Sequence, residues 1–322
     1  MLNLRQTLKF TALTLALASG LAQAQSYPNR PVKIVVPFAA GGPADNYARF
    51  MAQRLGEELK QTFVIDNKPG AGSIIGTDLV AKSAADGYTL LMMSNTHTVN
   101  ESLIPTKPFG LMKDFVGIAP VNYSNLLLVV HPSVPVKTVG ELVALAKSKP
   151  GKLNYASSGN GTPYHMAGEL FKFMAGIDMT HVPYKGSSGA RTDIVGGQVD
   201  VMFDAETTMA ALARDGKVRT LAGTGLTRSA NLQDLPTVAE TVPKFEATIW
   251  LGLMAPKGTP ADVVSKLNAE VRKIVNNPDV KAAWAKQGAV PMSMGVSEFD
   301  QYLNADIAKW ANIVKVSGAK PD

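Results

Sequence analysis

Three times in its first hundred residues this chain runs from a short apolar segment into a turn rich in glycine, serine or asparagine. Residues 32–36 lead into Pro37-Phe-Ala-Ala-Gly-Gly-Pro-Ala-Asp45, residues 62–66 into Asn67-Lys-Pro-Gly-Ala-Gly-Ser73, and residues 88–93 into Ser94-Asn-Thr-His97. The device returns at Asn154-Tyr-Ala-Ser-Ser-Gly-Asn-Gly-Thr-Pro-Tyr-His165. Short apolar runs bounded by such turns and followed by helical spacing predict an α/β fold with largely parallel strands. In an open α/β sheet the carboxyl ends of the strands are where ligands bind. The repeated turns therefore place the candidate site as well as the fold.

The segment from 154 to 165 carries the strongest local signals. Thr162 is placed to cap a helix, Pro163 suits its first position, and Gly176 falls where a C′ glycine would end it. Met166, Ala167, Leu170, Phe171 and Met174 follow at helical spacing. A helix start presents backbone N–H groups at the positive end of the helix dipole, and Ser157 and Ser158 add hydroxyls, which is chemistry for a small anion. A well-capped helix that binds nothing is the competing reading. At the first junction, Asp45 in a first helical turn reads foremost as a dipole partner. The backbone from Phe38 to Gly41 is the better site candidate.

The N-terminus sets the compartment. Arg5 and Lys9 precede an apolar run over residues 10–18, and Ala22-Gln-Ala24 matches a small-residue cleavage site. This pattern predicts a secretory signal peptide over residues 1–24, since the run falls short of the ~20 apolar residues needed to span a bilayer. The formal charge of +6 includes those two basic residues, which leaves 6 − 2 = +4 for the mature chain. Its lysines and arginines are scattered, so no nucleic-acid partner is expected. With no cysteine there is neither a disulfide nor a lipid-modified cysteine. A protein of the bacterial periplasm is the expectation.

Length and order of elements suggest two domains. The long run over residues 117–130, with Pro120 and Asn122 inside it, reads as a strand crossing between them. Residues 25–123 with 232–322 are expected to form one domain, and 124–231 the other. Helices are expected near 74–82, 138–149, 190–195, 206–214, 261–275, 279–286 and 297–314, with Trp284 and Trp310 in the core. An enzyme reading would use Ser157 or Ser158 with His165, but no Gly-x-Ser-x-Gly elbow occurs. The four histidines form no metal-ligating pair, and there is neither a Walker-type loop nor a Gly-x-Gly-x-x-Gly after the first strand.

Taken in order, the motifs resemble one family. They are Tyr27-Pro-Asn-Arg-Pro-Val32, Pro37-Phe-Ala-Ala-Gly-Gly42 with Asp45 and Ala48-Arg49, Asn67-Lys-Pro-Gly-Ala-Gly72, and Ala85-Asp-Gly-Tyr-Thr-Leu90. Later pieces include Ala167-Gly-Glu-Leu-Phe171, His181-Val-Pro-Tyr-Lys-Gly186, Gly196-Gly-Gln-Val-Asp200 and Leu235-Pro-Thr-Val-Ala-Glu240. The chain resembles the substrate-binding proteins of tripartite tricarboxylate transporters, the Bug-type periplasmic receptors. The resemblance implies a type II-like two-domain periplasmic binding protein, each domain a sheet flanked by helices, with the ligand in the interdomain cleft. It implies a small carboxylate or related polar ligand, membrane transporter subunits as partners, a monomer, no cofactor and no catalysis. The implied contacts are Phe38, Ala39, Ala40 and Gly41 in one domain and Ser157, Ser158, Gly161 and Thr162 in the other. Gly72, Ser73, Ser94, Asn95 and Asp204 are further candidates. One departure falls after Gly186, where the family often has proline-alanine and this chain has Ser187-Ser-Gly-Ala190.

Overall fold

The computed structural model describes residues 27–321, so the expected signal peptide lies outside the described residues. Strand β4 (Phe115–Val130) is the spine of the molecule. Its first part, up to Asn125, pairs antiparallel with β9 (Thr248–Pro256), whereas Leu126–Val130 pairs with β7 (Val201–Ala205) and β8 (Arg219–Gly223). One strand thus serves two sheets, and the switch falls between Asn125 and Leu126. The β4–β9 register shifts on either side of Pro120, where the missing N–H cannot join a regular ladder.

On the first side of the switch the order is β2 (Phe63–Asn67), β1 (Val32–Val36), β3 (Thr89–Ser94), β9, β4. The β1–β2 and β1–β3 pairs are parallel. On the second side β4 is followed by β7, β5 (Asn154–Ser157) and β6 (Thr180–Pro183), with β5 parallel to both its neighbours. A short strand β10 (Ala289–Pro291), not foreseen in the sequence, adds to β4 on its other edge.

The helices lie where their apolar stripes require. In α1 (Pro43–Leu59), Ala44, Tyr47, Ala48, Met51, Ala52 and Leu55 recur at helical spacing and are buried against the sheet. Helices α2 (Ile74–Ala81), α5 (Val139–Ser148), α6 (Pro163–Ala175) and α8 (Glu206–Arg214) fall near their expected positions. Two differences bear on the site. Residues 95–97, expected within the polar turn that ends the strand over 88–93, begin α3 (Asn95–Leu103), because Ser94 and His97 form a reciprocal capping box. Helix α7 (Ser187–Val195) starts three residues before the expected 190. A single turn, α4 (Leu111–Asp114), precedes β4.

The chain closes with α9 (Ala261–Asn276), α10 (Pro278–Ala285) and α11 (Val296–Ser317). Trp284 and Trp310 are buried, as the sequence suggests. Trp310 joins Val99 and Leu103 of α3 and Met166 of α6 in one apolar cluster, so α11 touches helices from both sides of the switch. At the switch itself, Thr224 joins three chain segments. Its hydroxyl donates to the Ala247 carbonyl at 2.6 Å, and the Leu126 N–H donates to that hydroxyl at 2.8 Å.

Candidate functional site

Four helices begin at one cavity. It is lined by Gly42, Pro43 and Ala44 at the start of α1, Ser94 and Thr96 at α3, Pro163 and Tyr164 at α6, and Gly186 and Ser187 at α7. Phe38, Ala39, Ser158 and Ile249 complete its wall. Each helix N-terminus carries roughly half a positive charge, and its first N–H groups have no intrahelical acceptor. Among the described residues, no lysine, arginine or histidine lines the cavity. The positive partial charges at its wall are those of the helix starts.

The four ends are not alike. Ser94 Oγ accepts the Thr96 N–H at 3.3 Å, and Thr162 Oγ1 accepts the His165 N–H at 3.4 Å, so α3 and α6 are capped by their own side chains. Helices α1 and α7 begin at Gly42 and Gly186 with no side-chain cap. Pro43 contributes no N–H, which leaves those of Ala44 and Asp45 on one side and of Ser187 and Ser188 on the other beyond the reach of intrahelical bonding. These two ends come from opposite sides of the switch.

They are held together over the cavity. The Ala39 N–H donates to the Lys185 carbonyl at 3.2 Å, and an Arg191 guanidinium nitrogen donates to the Gly41 carbonyl at 2.6 Å. A side chain at Gly186 would bring its Cβ to 2.8 Å from that of Ala39, so only glycine permits this approach. The Phe38–Gly41 loop is braced from behind. Asp45 accepts from the Gly41 N–H at 2.9 Å, from Arg49 at 3.0 Å and from Asn67 at 3.0 Å. Burial raises the Asp45 pKa, but the hydrogen bonds from Arg49, Gly41 and Asn67 outweigh it and hold the carboxyl below its ordinary value. Asp45 thus braces the loop. On the other side, Arg191 pairs with Asp204 at 2.9 Å and donates to Ser187 Oγ at 2.9 Å. Complete burial nonetheless pushes the Asp204 carboxyl above its ordinary pKa.

Of the residues singled out in the sequence, Phe38, Ala39, Ser94 and Ser158 border the cavity. Ala40 and Gly41 lie on the exposed rim of the clamp. Asn95 is spent on β9, donating to the Thr248 carbonyl at 2.9 Å. The Gly72 carbonyl accepts from Asn100 at 2.9 Å, and the Ser73 carbonyl accepts from Thr77 Oγ1 at 2.8 Å. Gly161 packs against the Asn100 side chain, where its φ of +73° and a would-be Cβ at 2.1 Å from Asn100 Oδ1 both demand glycine. Thr162 serves as the cap of α6, and Asp204 stands behind the wall with Arg191. Ser157 is fully buried; its Oγ accepts the Gly159 N–H at 3.1 Å and lies 2.7 Å from His181 Nε2. The histidine beside Ser157 is thus His181. His165 Nδ1 instead accepts the Gly161 N–H at 3.2 Å.

Sequence reasoning passed over Pro43, Ala44, Thr96, Tyr164, Gly186, Ser187 and Ile249 as contacts. Gly186 followed by Ser187-Ser188 was a legible helix start. Ile249 reaches the cavity only because β9 runs beside β3 and β4.

Known proteins are similar to this chain in sequence and fold. The sequence profile of the tripartite tricarboxylate transporter family receptor, TctC, matches residues 47–319. BugT of Bordetella pertussis is 35% identical over 324 residues, covering 99% of both chains. The solved structure of R. palustris Rpa4515 with adipate superposes with a TM-score of 0.89 at 35% identity, covering 92% of this chain and all of that one. MatC from Rhodopseudomonas palustris with bound malate gives 0.85 at 32% identity, covering 89% of this chain and all of that one. The fold is that of a two-domain, type II-like periplasmic binding protein. The chain belongs to the tripartite tricarboxylate transporter receptor family and is of its Bug type.

Proposed function

We propose that this protein captures a small carboxylate in the cleft between its two domains and delivers it to the membrane subunits of a tripartite tricarboxylate transporter. The observation that carries this reading is the pair of uncapped helix starts, α1 and α7, that meet at one cavity from opposite sides of the β4 switch. A carboxylate there accepts hydrogen bonds from N–H groups that the fold leaves without helical partners. Adipate and malate in two relatives support the ligand class. We take residues 25–123 with 232–322 as one domain and 124–231 as the other, with hinge motion about the β4 switch and Thr224. Contacts run through Phe38, Ala39, Ala44, Ser94, Ser158, Tyr164 and Ser187, while Ala40, Gly41, Gly72, Ser73, Asn95, Ser157, Gly161, Thr162 and Asp204 shape the loops that carry them. The protein acts in the periplasm as a monomer, after removal of residues 1–24.

Thermal unfolding of the mature protein against a panel of mono-, di- and tricarboxylates tests the reading. A ligand at a hundredfold excess over Kd stabilises by about 2.7 kcal/mol. A panel in which no carboxylate raises the melting temperature overturns it. Turnover of a bound compound on prolonged incubation would favour a hydrolase instead.

A further inference from the structure

Away from the clamp, the two sides of the β4 switch meet a second time at the start of α8. Near the end of β7, Asp204 is tied by Arg191 to the clamp; two residues on, Glu206 opens α8 and meets the loop between α10 and β10. A Cβ added at Gly288 in that loop would lie 2.3 Å from Glu206 Oε1, and the φ of +79° there also calls for glycine. Ser229 Oγ donates to Glu206 Oε1 at 2.9 Å. Asn231, a second donor to this carboxyl, also donates to the Ala285 carbonyl at 2.6 Å. Glu206 is thus wedged between a helix of one side and a loop of the other, and it is only 2% exposed.

Among the described residues, no cation balances this carboxyl. Arg228, on the same loop as Ser229, is committed to Glu240 at 2.9 and 2.8 Å. Lys281 and Glu246, of opposite charge, line the groove that Ser229, Asn231 and Gly288 border, and Lys286 points its exposed position away from burial. Burial therefore raises the Glu206 pKa above its ordinary 4.5, although Ser229 and Asn231 hold it back. The ionised carboxyl is disfavoured in this packing and the protonated one is not. With so little exposure, any repacking of α8 against the Gly288 loop brings solvent closer to it.

Resting on the two-domain reading above, we infer that Glu206 makes the hinge proton-linked. Protonated, it favours the clamped arrangement in which α8 and the Gly288 loop pack together; ionised, it favours their separation. Because the clamped form has the raised pKa, its advantage is complete below the ordinary value of 4.5 and is lost as pH rises through the raised one. Protonation of Asp204 acts in the opposite sense, since it weakens the pair with Arg191 that steadies the clamp.

Distances between two spin labels measure this without any ligand. The chain has no cysteine, so Gln53→Cys with Lys147→Cys, both exposed and on opposite sides of the switch, gives the mature protein one label on each side. Gly186→Val, whose side chain meets Ala39 in the clamp, marks the unclamped distance. With Glu206 in place, the ratio of clamped to unclamped distances should rise about threefold or more from pH 8 to pH 5, the scale set by a difference of about one pKa unit. With Glu206→Gln, neutral at every pH and shown folded by circular dichroism, the ratio should be high at pH 8 already and change by less than about twofold. Glu206→Met, likewise neutral, serves if Glu206→Gln does not fold. A ratio that stays flat or falls on acidification with Glu206 present overturns the inference, as does an equal rise in the neutral variant. Carboxylate binding plays no part in these distances, so their failure leaves the receptor reading standing, whereas a carboxylate panel without binding defeats that reading alone.

Discussion

Helices α6 and α7 both begin at the cavity, on the same side of the β4 switch, yet their first turns are built differently. Helix α6 carries Thr162, whose hydroxyl accepts the His165 N–H, while α7 begins at Gly186 and has no side-chain cap. An N-cap side chain spends the orphan donors of a helix on the protein itself. A glycine N-cap leaves them to water or ligand. The strongest helix-start signal in the sequence thus marks a self-satisfied end, and the weaker signal marks the available one. The same contrast holds on the other side, between capped α3 and uncapped α1.

The harshest way to break the uncapped side is to remove its brace. Arg191→Met would leave Asp204 buried without a charged partner and cut the bond to the Gly41 carbonyl. Loss of about 3–5 kcal/mol in urea unfolding is expected. A loss near zero would mean that Arg191 does not hold α7 in place.

Acid should strike the capped end of α3. His97 is completely buried, and burial lowers its pKa from 6.5 to about 4. Its Nδ1 accepts the Ser94 N–H at 3.2 Å, and its Nε2 lies 3.0 Å from Thr77 Oγ1. Between about pH 6.5 and 4 the unfolded chain binds a proton that the folded chain does not, so stability falls as pH drops through that window. The difference should reach about 3 kcal/mol by pH 4. Denaturant unfolding from pH 7 to 4 measures this, and His97→Gln should flatten the slope. An equal slope in the variant would assign the acid loss to other groups.

Gly186→Val should sharpen the contrast in binding. Its side chain meets Ala39 where the two loops touch. Overpacking of this kind costs about 1–3 kcal/mol, so calorimetry should find carboxylate affinity down by about 10- to 100-fold. Wild-type affinity would place the ligand away from this contact. Thr162→Ala should do least, losing about 1 kcal/mol of stability for the cap. Its effect on affinity should fall well below that of Gly186→Val; the reverse order would make α6 the principal ligand end.

Much of the fold was readable because it is written in local periodicity. The apolar runs at β1, β3, β5 and β7, the stripe of α1, and the Thr162-Pro163 start with Gly176 at the end of α6 are all decided within a few residues of chain. The crossing strand was readable because the extended run over residues 117–130, with Pro120 and Asn122 inside it, is too long for one small sheet. The start of α3 was obscured because Ser94-Asn-Thr-His also suits a turn, and the capping box becomes distinctive only when the His97 ring folds back.

The site divides along the same line. Sequence determined that glycine-rich turns sit at strand ends, that helices begin there, and that the chain carries the motifs of a periplasmic receptor. Thr162 read as a cap from the sequence alone, but which helix ends remain without caps in the assembled cleft could not be determined there, since the partners of Asp45 and Asn95 lie far along the chain or in the folded loop. Tertiary structure assigned Asp45 to bracing a loop and Asn95 to β9, and brought Ser187, Tyr164 and Ile249 to the cavity from three separate elements. The physical reason is that a hydrogen-bonding group has few bonds to make. Whether one is left for a ligand depends on every neighbour that folding brings within about 3 Å.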